Sequence, residues 1–75
     1  KIKIKLNGKS IKILDKITLL NLIKKMKLPI NKVAIELNQK IVNKKSINKI
    51  IIKKNDKIEI VHFIGGGWWK KMINL

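Results

Sequence analysis

The chain has 75 residues, a formal net charge of +15, no cysteine and a single histidine. A domain of this size buries only about 60% of its unfolded surface, which leaves no room for a core and an enclosed active-site cavity together. Without cysteine, disulfides, thiolate nucleophiles and Cys-based metal sites are excluded within the chain. Lysines alternate with apolar residues from Lys1 onward, unlike a signal peptide, and no apolar run reaches the ~20 residues that span a bilayer. The expectation is one soluble, cytoplasmic domain.

The charge carries less information than its size suggests. All 19 basic residues are lysine, and isoleucine and asparagine are abundant beside them. These three share A/T-rich codons, so compositional drift accounts for the bias without a ligand. Specific nucleic-acid readers use arginine forks and stacking aromatics, and the aromatics here are Phe63, Trp68 and Trp69. What remains of the charge suits steering toward an acidic partner.

Residues 1–6 alternate lysine with Ile2, Ile4 and Leu6, the period of a half-buried strand. Asn7-Gly8 predicts a type I′ hairpin turn, and Lys9 to Leu14 returns antiparallel with Ile11 and Ile13 inward. After Asp15 the period changes to 3.6. Thr18 is placed to cap a helix, with Ile17 and Leu22 as a staple, and Leu19, Leu22, Ile23 and Met26 form one stripe. Pro29 is expected to end it. Val33 to Asn38 reads as a third strand, followed by a turn and a short edge segment at Ile41-Val42. Residues 43–54 are ambiguous, since the run Ile50-Ile51-Ile52 suits either a 3₁₀ turn or a short strand. Asn55-Asp56 is a second turn, and Lys57 to Ile64 is the final strand. Its apolar residues fall on both faces, as in a central strand with one face on a helix and the other available for contact.

This order describes an α+β roll of the ubiquitin-like, β-grasp kind: a mixed sheet of four to five strands under one main helix. The first and last strands would pair in parallel at its centre. The domain is assigned to residues 1–67, including a flexible glycine tail, and residues 68–75 are a C-terminal extension. No catalytic set is apparent. Asp15, Glu36, Asp56 and Glu59 are not spaced as a pair or a metal cluster, His62 stands alone, and Ser10 and Ser46 have no local base. No phosphate-binding motif is present. The remaining candidate is Gly65-Gly66-Gly67, a slender arm that is a plain linker or a tail built to enter a narrow site, bringing a sterically open carboxylate.

Three segments together resemble the ThiS family of sulfur carriers: Val33 to Val42, Asn55 to Val61, and Ile64-Gly65-Gly66-Gly67. The family pattern is a V-A-V-E-x-N-x-x-I-V strand pair, a G-D-x-(V/I)-E-I-V turn and strand, and a di- or triglycine terminus. The resemblance covers residues 1–67, with Asn55 standing where glycine is usual. It implies a non-enzymatic carrier in thiamine thiazole synthesis. An E1-like, ThiF-type partner would adenylate the glycine carboxylate with ATP and magnesium, and persulfide sulfur would convert it to a thiocarboxylate for a ThiG-type thiazole synthase. Gly67 would be the acceptor, Gly65 and Gly66 the threading tail, and Val61, Phe63 and Ile64 the docking surface. No cofactor or metal would be bound by the carrier itself. The alternatives are a MoaD-like carrier for molybdopterin synthesis and a basic module binding nucleic acid or an anionic surface.

The chain departs from the family after Gly67, whose carboxyl is in a peptide bond to Trp68. Three explanations of residues 68–75 stand: removal by a protease, a reading artefact or the start of a fused or adjacent reading frame with Met72 as a possible start, and a short Trp/Lys interfacial anchor.

Overall fold

The computed structural model describes residues 1–64 and 68–71, with side chains through residue 62. Strands β1 (Ile2–Leu6) and β2 (Lys9–Ile13) form the expected hairpin, with Asn7 and Gly8 at φ 50° and 84° in its turn. Nothing lies within 4 Å of a Cβ built on Gly8, so the backbone angle, not crowding, selects glycine there. Helix α1 (Leu19–Lys25) follows, then a 3₁₀ turn (Ile30–Lys32), β3 (Val33–Leu37) and β4 (Lys40–Ile41). A second 3₁₀ turn (Lys44–Ser46) precedes β5 (Lys57–Ile64) and β6 (Trp68–Lys71).

The sheet runs β2-β1-β5-β3-β4, with β1 and β5 parallel and the other neighbours antiparallel; β6 adds antiparallel to β5. This is the β-grasp arrangement of five strands and one helix anticipated above. Ile4, Leu6, Ile13, Val33, Ile35, Ile58 and Ile60 face α1, where Leu19, Leu22 and Ile23 are buried against them. Among the described residues, twelve side chains form this apolar core. At about 25 cal/mol per Å² of apolar surface, it is the main term opposing chain entropy.

The helix ends are resolved by local chemistry. Thr18 and Asn21 form a reciprocal capping box: Thr18 Oγ1 accepts from the Asn21 amide at 3.1 Å, and Asn21 Oδ1 accepts from the Thr18 amide at 3.1 Å. The next two amides, of Leu19 and Leu20, donate to the carbonyls of Ile50 and Ile47 at 2.9 and 3.0 Å. The ambiguous segment 43–54 therefore closes the helix N-terminus. It also contributes Ile47 and Ile52 to the core, while Ile51 forms an isolated bridge to Thr18.

The C-terminus of α1 corrects the expectation that Pro29 stops it. Lys27 sits at φ 59°, and its amide donates to Lys24 while that of Leu28 donates to Ile23. That pair of bonds is a Schellman motif, and it turns the chain before the proline is reached. Pro29 instead opens the following 3₁₀ turn.

Candidate functional site

Everything that could present the glycine run is carried by β5, the central strand. It is held on one side by β3 along Lys57's neighbour Ile58 to His62, and on the other by β1 at Lys57 and Ile58. Beyond the end of β1 a side chain continues the ladder. Asn7 Oδ1 accepts from the Ile60 amide at 2.8 Å, and Asn7 Nδ2 donates to the Ile60 carbonyl at 3.3 Å. From Val61 to Ile64 the same edge is then occupied by β6, in the register Val61↔Lys71, His62↔Lys70, Phe63↔Trp69 and Ile64↔Trp68.

The other end of β5 is pinned in a related way from the β3–β4 turn. Asn38, at φ 52°, accepts from the Lys57 amide at 2.9 Å and donates to Asp56 at 3.1 Å through its side chain. Asp56 in turn accepts from the Lys53 amide at 2.8 Å, which closes the turn around Asn55 at φ 70°. The left-handed region suits asparagine in all three places. The two hairpin turns thus each contribute one asparagine to the central strand. This gives a physical reason for the Asn of the V-A-I-E-L-N segment and for the tolerated Asn55.

Of the expected docking residues, Val61 lies half-buried on the sheet face opposite α1, in register with Ala34. Phe63 and Ile64 are placed by their backbone at the end of β5. Gly65, Gly66 and Gly67 lie outside the described residues. The extension, left without structure in the sequence reading, contains β6 over Trp68–Lys71. β6 therefore returns antiparallel along the end of β5, and that edge of the strand is occupied. Nothing in the sequence pattern of Trp68 to Lys71 alternates strongly enough to have revealed this.

His62 is half-buried, and its Nε2 is enclosed without a hydrogen-bond partner among the described residues. It sits opposite Val33 on the core-facing side of β5, in keeping with a packed histidine. Among the described residues no group of three or more His, Cys, Asp or Glu side chains could hold a metal ion. Likewise, no helix among them is long and apolar enough to cross a membrane.

Comparison with known proteins agrees with this geometry. The fold superimposes on the crystal structure of the thiamine biosynthesis protein ThiS from Geobacter metallireducens with a TM-score of 0.78 at 23% identity, covering 88% of this chain and all of that one. The solution structure of a thiamine biosynthesis protein from the same organism gives 0.72 at 19% identity, covering 99% of both chains. In sequence, the chain is 44% identical over 36 residues to a thiazole synthase of Magnetococcus marinus, 48% of this chain and 11% of that protein. It is 56% identical over 34 residues to the protein ycf40 of Trieres chinensis, 45% of this chain and 47% of that protein. Each of these two sequence matches thus spans less than half of the relative's own length. The ThiS family pattern matches residues 4–67, from the first strand to the last of the three glycines. The chain belongs to the ThiS family.

Proposed function

We propose that this protein is a sulfur carrier of thiamine thiazole biosynthesis, a protein substrate and not an enzyme. The observation that carries the reading is where the family match stops: it includes Gly67 and excludes Trp68 onward. In this reading residues 1–67 are the carrier domain, and cleavage after Gly67 releases the working carboxylate. Pairing of β6 with Val61–Ile64 makes the uncut chain the resting form, because the end of β5 is already occupied.

An E1-like adenylyltransferase, using ATP and magnesium, joins the Gly67 carboxylate to AMP and releases pyrophosphate. The mixed anhydride makes a weak electrophile open to attack. The terminal sulfur of a persulfide adds to the carbonyl and AMP leaves. The adduct is an acyl disulfide that keeps the persulfide's S–S bond, and a thiol cleaves that bond to yield the thiocarboxylate and a disulfide. The thiocarboxylate is the sulfur donor to a thiazole synthase, an assignment supported by the partial likeness to one such protein. Glycines at 65–67 permit close approach of partner walls on both sides of the tail. Val61, with Phe63 and Ile64 beyond it, supplies the docking surface on the face that α1 leaves uncovered.

Intact-mass measurement of the protein from its native cell tests this directly. The expected species ends at Gly67 and carries about 16 Da more than its sequence mass, the exchange of one oxygen for sulfur. In vitro, a chain ending at Gly67 should support ATP–pyrophosphate exchange by the adenylating partner, and the chain through Leu75 should not. Equal exchange by both forms, or by neither, would overturn the reading.

A further inference from the structure

The outer edge of β2 is a second place where the fold is unfinished. β2 ends the strand order, and among the described residues its backbone pairs with β1 alone. Beside it, between the hairpin and the second half of α1, lies a groove of about 560 Å³. Its floor is aliphatic, with Leu6, Ile13, Leu22, Met26 and Leu28. Its rim is Lys1, Lys12, Lys25 and Lys27, and none of the described residues brings a carboxylate to it. Four consecutive residues, Ile11 to Leu14, border the groove. Successive strand side chains point to opposite faces, so a cavity touching all four must run along the strand's edge and not only over one face. Leu14, at the end of that edge, is 53% exposed.

We propose that this groove binds an extended peptide segment of a partner protein, aliphatic in its centre and flanked by Asp or Glu, added as a further strand to the free edge of β2. Three features select that occupant. The unpaired amides and carbonyls of β2 need a backbone to pair with, which an acyl chain does not offer. The aliphatic floor takes alternate side chains of such a strand, and the four lysines complement acidic flanks. A second copy of the same chain is disfavoured, since it would bring another +15 charge to a lysine-lined edge. β1 separates this surface from β5, so the proposal does not rest on the carrier reading.

The probe is a fluorescein-labelled octapeptide, Asp-Glu-Val-Ile-Val-Ile-Asp-Glu, titrated into the full chain by anisotropy and followed by amide chemical shifts. Shifts should be confined to residues 10–14 and 22–28. N-methylation of alternate peptide amides should weaken binding about tenfold, because it removes the strand pairing. The double variant Lys12→Glu/Lys25→Glu, at two exposed positions that the fold tolerates, should weaken it by a similar factor of about ten. Three results would each overturn the proposal: equal binding of an acidic peptide with serine in place of the aliphatics, shifts spread over the lysines of the whole surface, or displacement by dodecanoate with no effect of N-methylation.

Discussion

The side chain of Asn7 grips the backbone of Ile60 on both of its polar groups, accepting from the amide at 2.8 Å and donating to the carbonyl at 3.3 Å. It acts as one residue of strand where β1 has already turned away, and so bridges the gap between β1 and the edge that β6 occupies. Asn7→Ala removes both bonds and leaves a Cβ-bearing residue without asparagine's tolerance at φ 50°. At roughly 1 kcal/mol per bond and a further ~1 for the backbone, the loss should be about 2–3 kcal/mol. Asn7→Gly keeps the angle and loses only the bonds, so it should cost about half as much. Urea denaturation gives both values, and faster hydrogen exchange at the Ile60 amide locates the effect. Equal stability of wild type and Asn7→Ala would remove the clamp from the account.

A contrast between neighbours tests the role of segment 43–54. Ile52 is 1% exposed and Ile51 is 51% exposed, although both stand in one apolar triplet. Ile52→Ala should cost about 2–5 kcal/mol, enough to bring a domain of this size close to unfolding at 37 °C, while Ile52→Val should cost about 1. Ile51→Ala should stay within about 1 kcal/mol, since its backbone bridge to Thr18 survives the substitution. Thermal melts of the three variants decide it. Similar losses at both positions would mean that the segment is packed differently.

This triplet also marks what was readable in the sequence. The first hairpin, the helix and the strands follow from periodicities of 2 and 3.6 and from Asn7-Gly8, all of which are local, whereas the parallel pairing of β1 with β5 was expected only as a consequence of the β-grasp arrangement that their order describes. Ile47 and Ile52 were not identified as core because their burial depends on a tertiary event, the docking of segment 43–54 over the first amides of α1. The candidate site divides in the same way. The family pattern reaching Gly67 was legible from the strand pair, the turn and the glycines. The pairing of Trp68–Lys71 with β5 was not, because that edge is vacant only once β1 has ended at Leu6, one residue after its register with Lys57 begins.

The Schellman end of α1 offers a stabilising change. Lys27 holds φ 59° on an exposed site, a conformation that costs most residues about 1 kcal/mol and glycine almost nothing. Lys27→Gly should therefore raise stability by up to about 1 kcal/mol, or roughly 4–8 °C in Tm for a domain of this length. The same substitution at Lys25, inside the helix, should destabilise by a comparable ~1 kcal/mol. Opposite signs at two positions two residues apart, read by calorimetry, would verify the cap. A destabilised Lys27→Gly would contradict it.

The docking role proposed for Val61 is separable from the stability of β5. Its side chain lies half-buried on the face away from the helix, with Glu59 two residues before it on the same face and Ala34 opposite. Val61→Lys places a cation near Glu59 and leaves the buried row of Ile58 and Ile60 untouched, so the fold should lose less than about 1 kcal/mol. An apolar anchor at the centre of a contact surface is worth more than that to a partner. In a chain ending at Gly67, Val61→Lys should therefore lower kcat/KM for the adenylating partner about tenfold, with the effect in KM, because the reacting carboxylate is unchanged. Steady-state pyrophosphate release across carrier concentrations measures it. An unchanged KM alongside normal folding would move the docking surface off Val61, and leave Phe63 and Ile64 as the residues to test next.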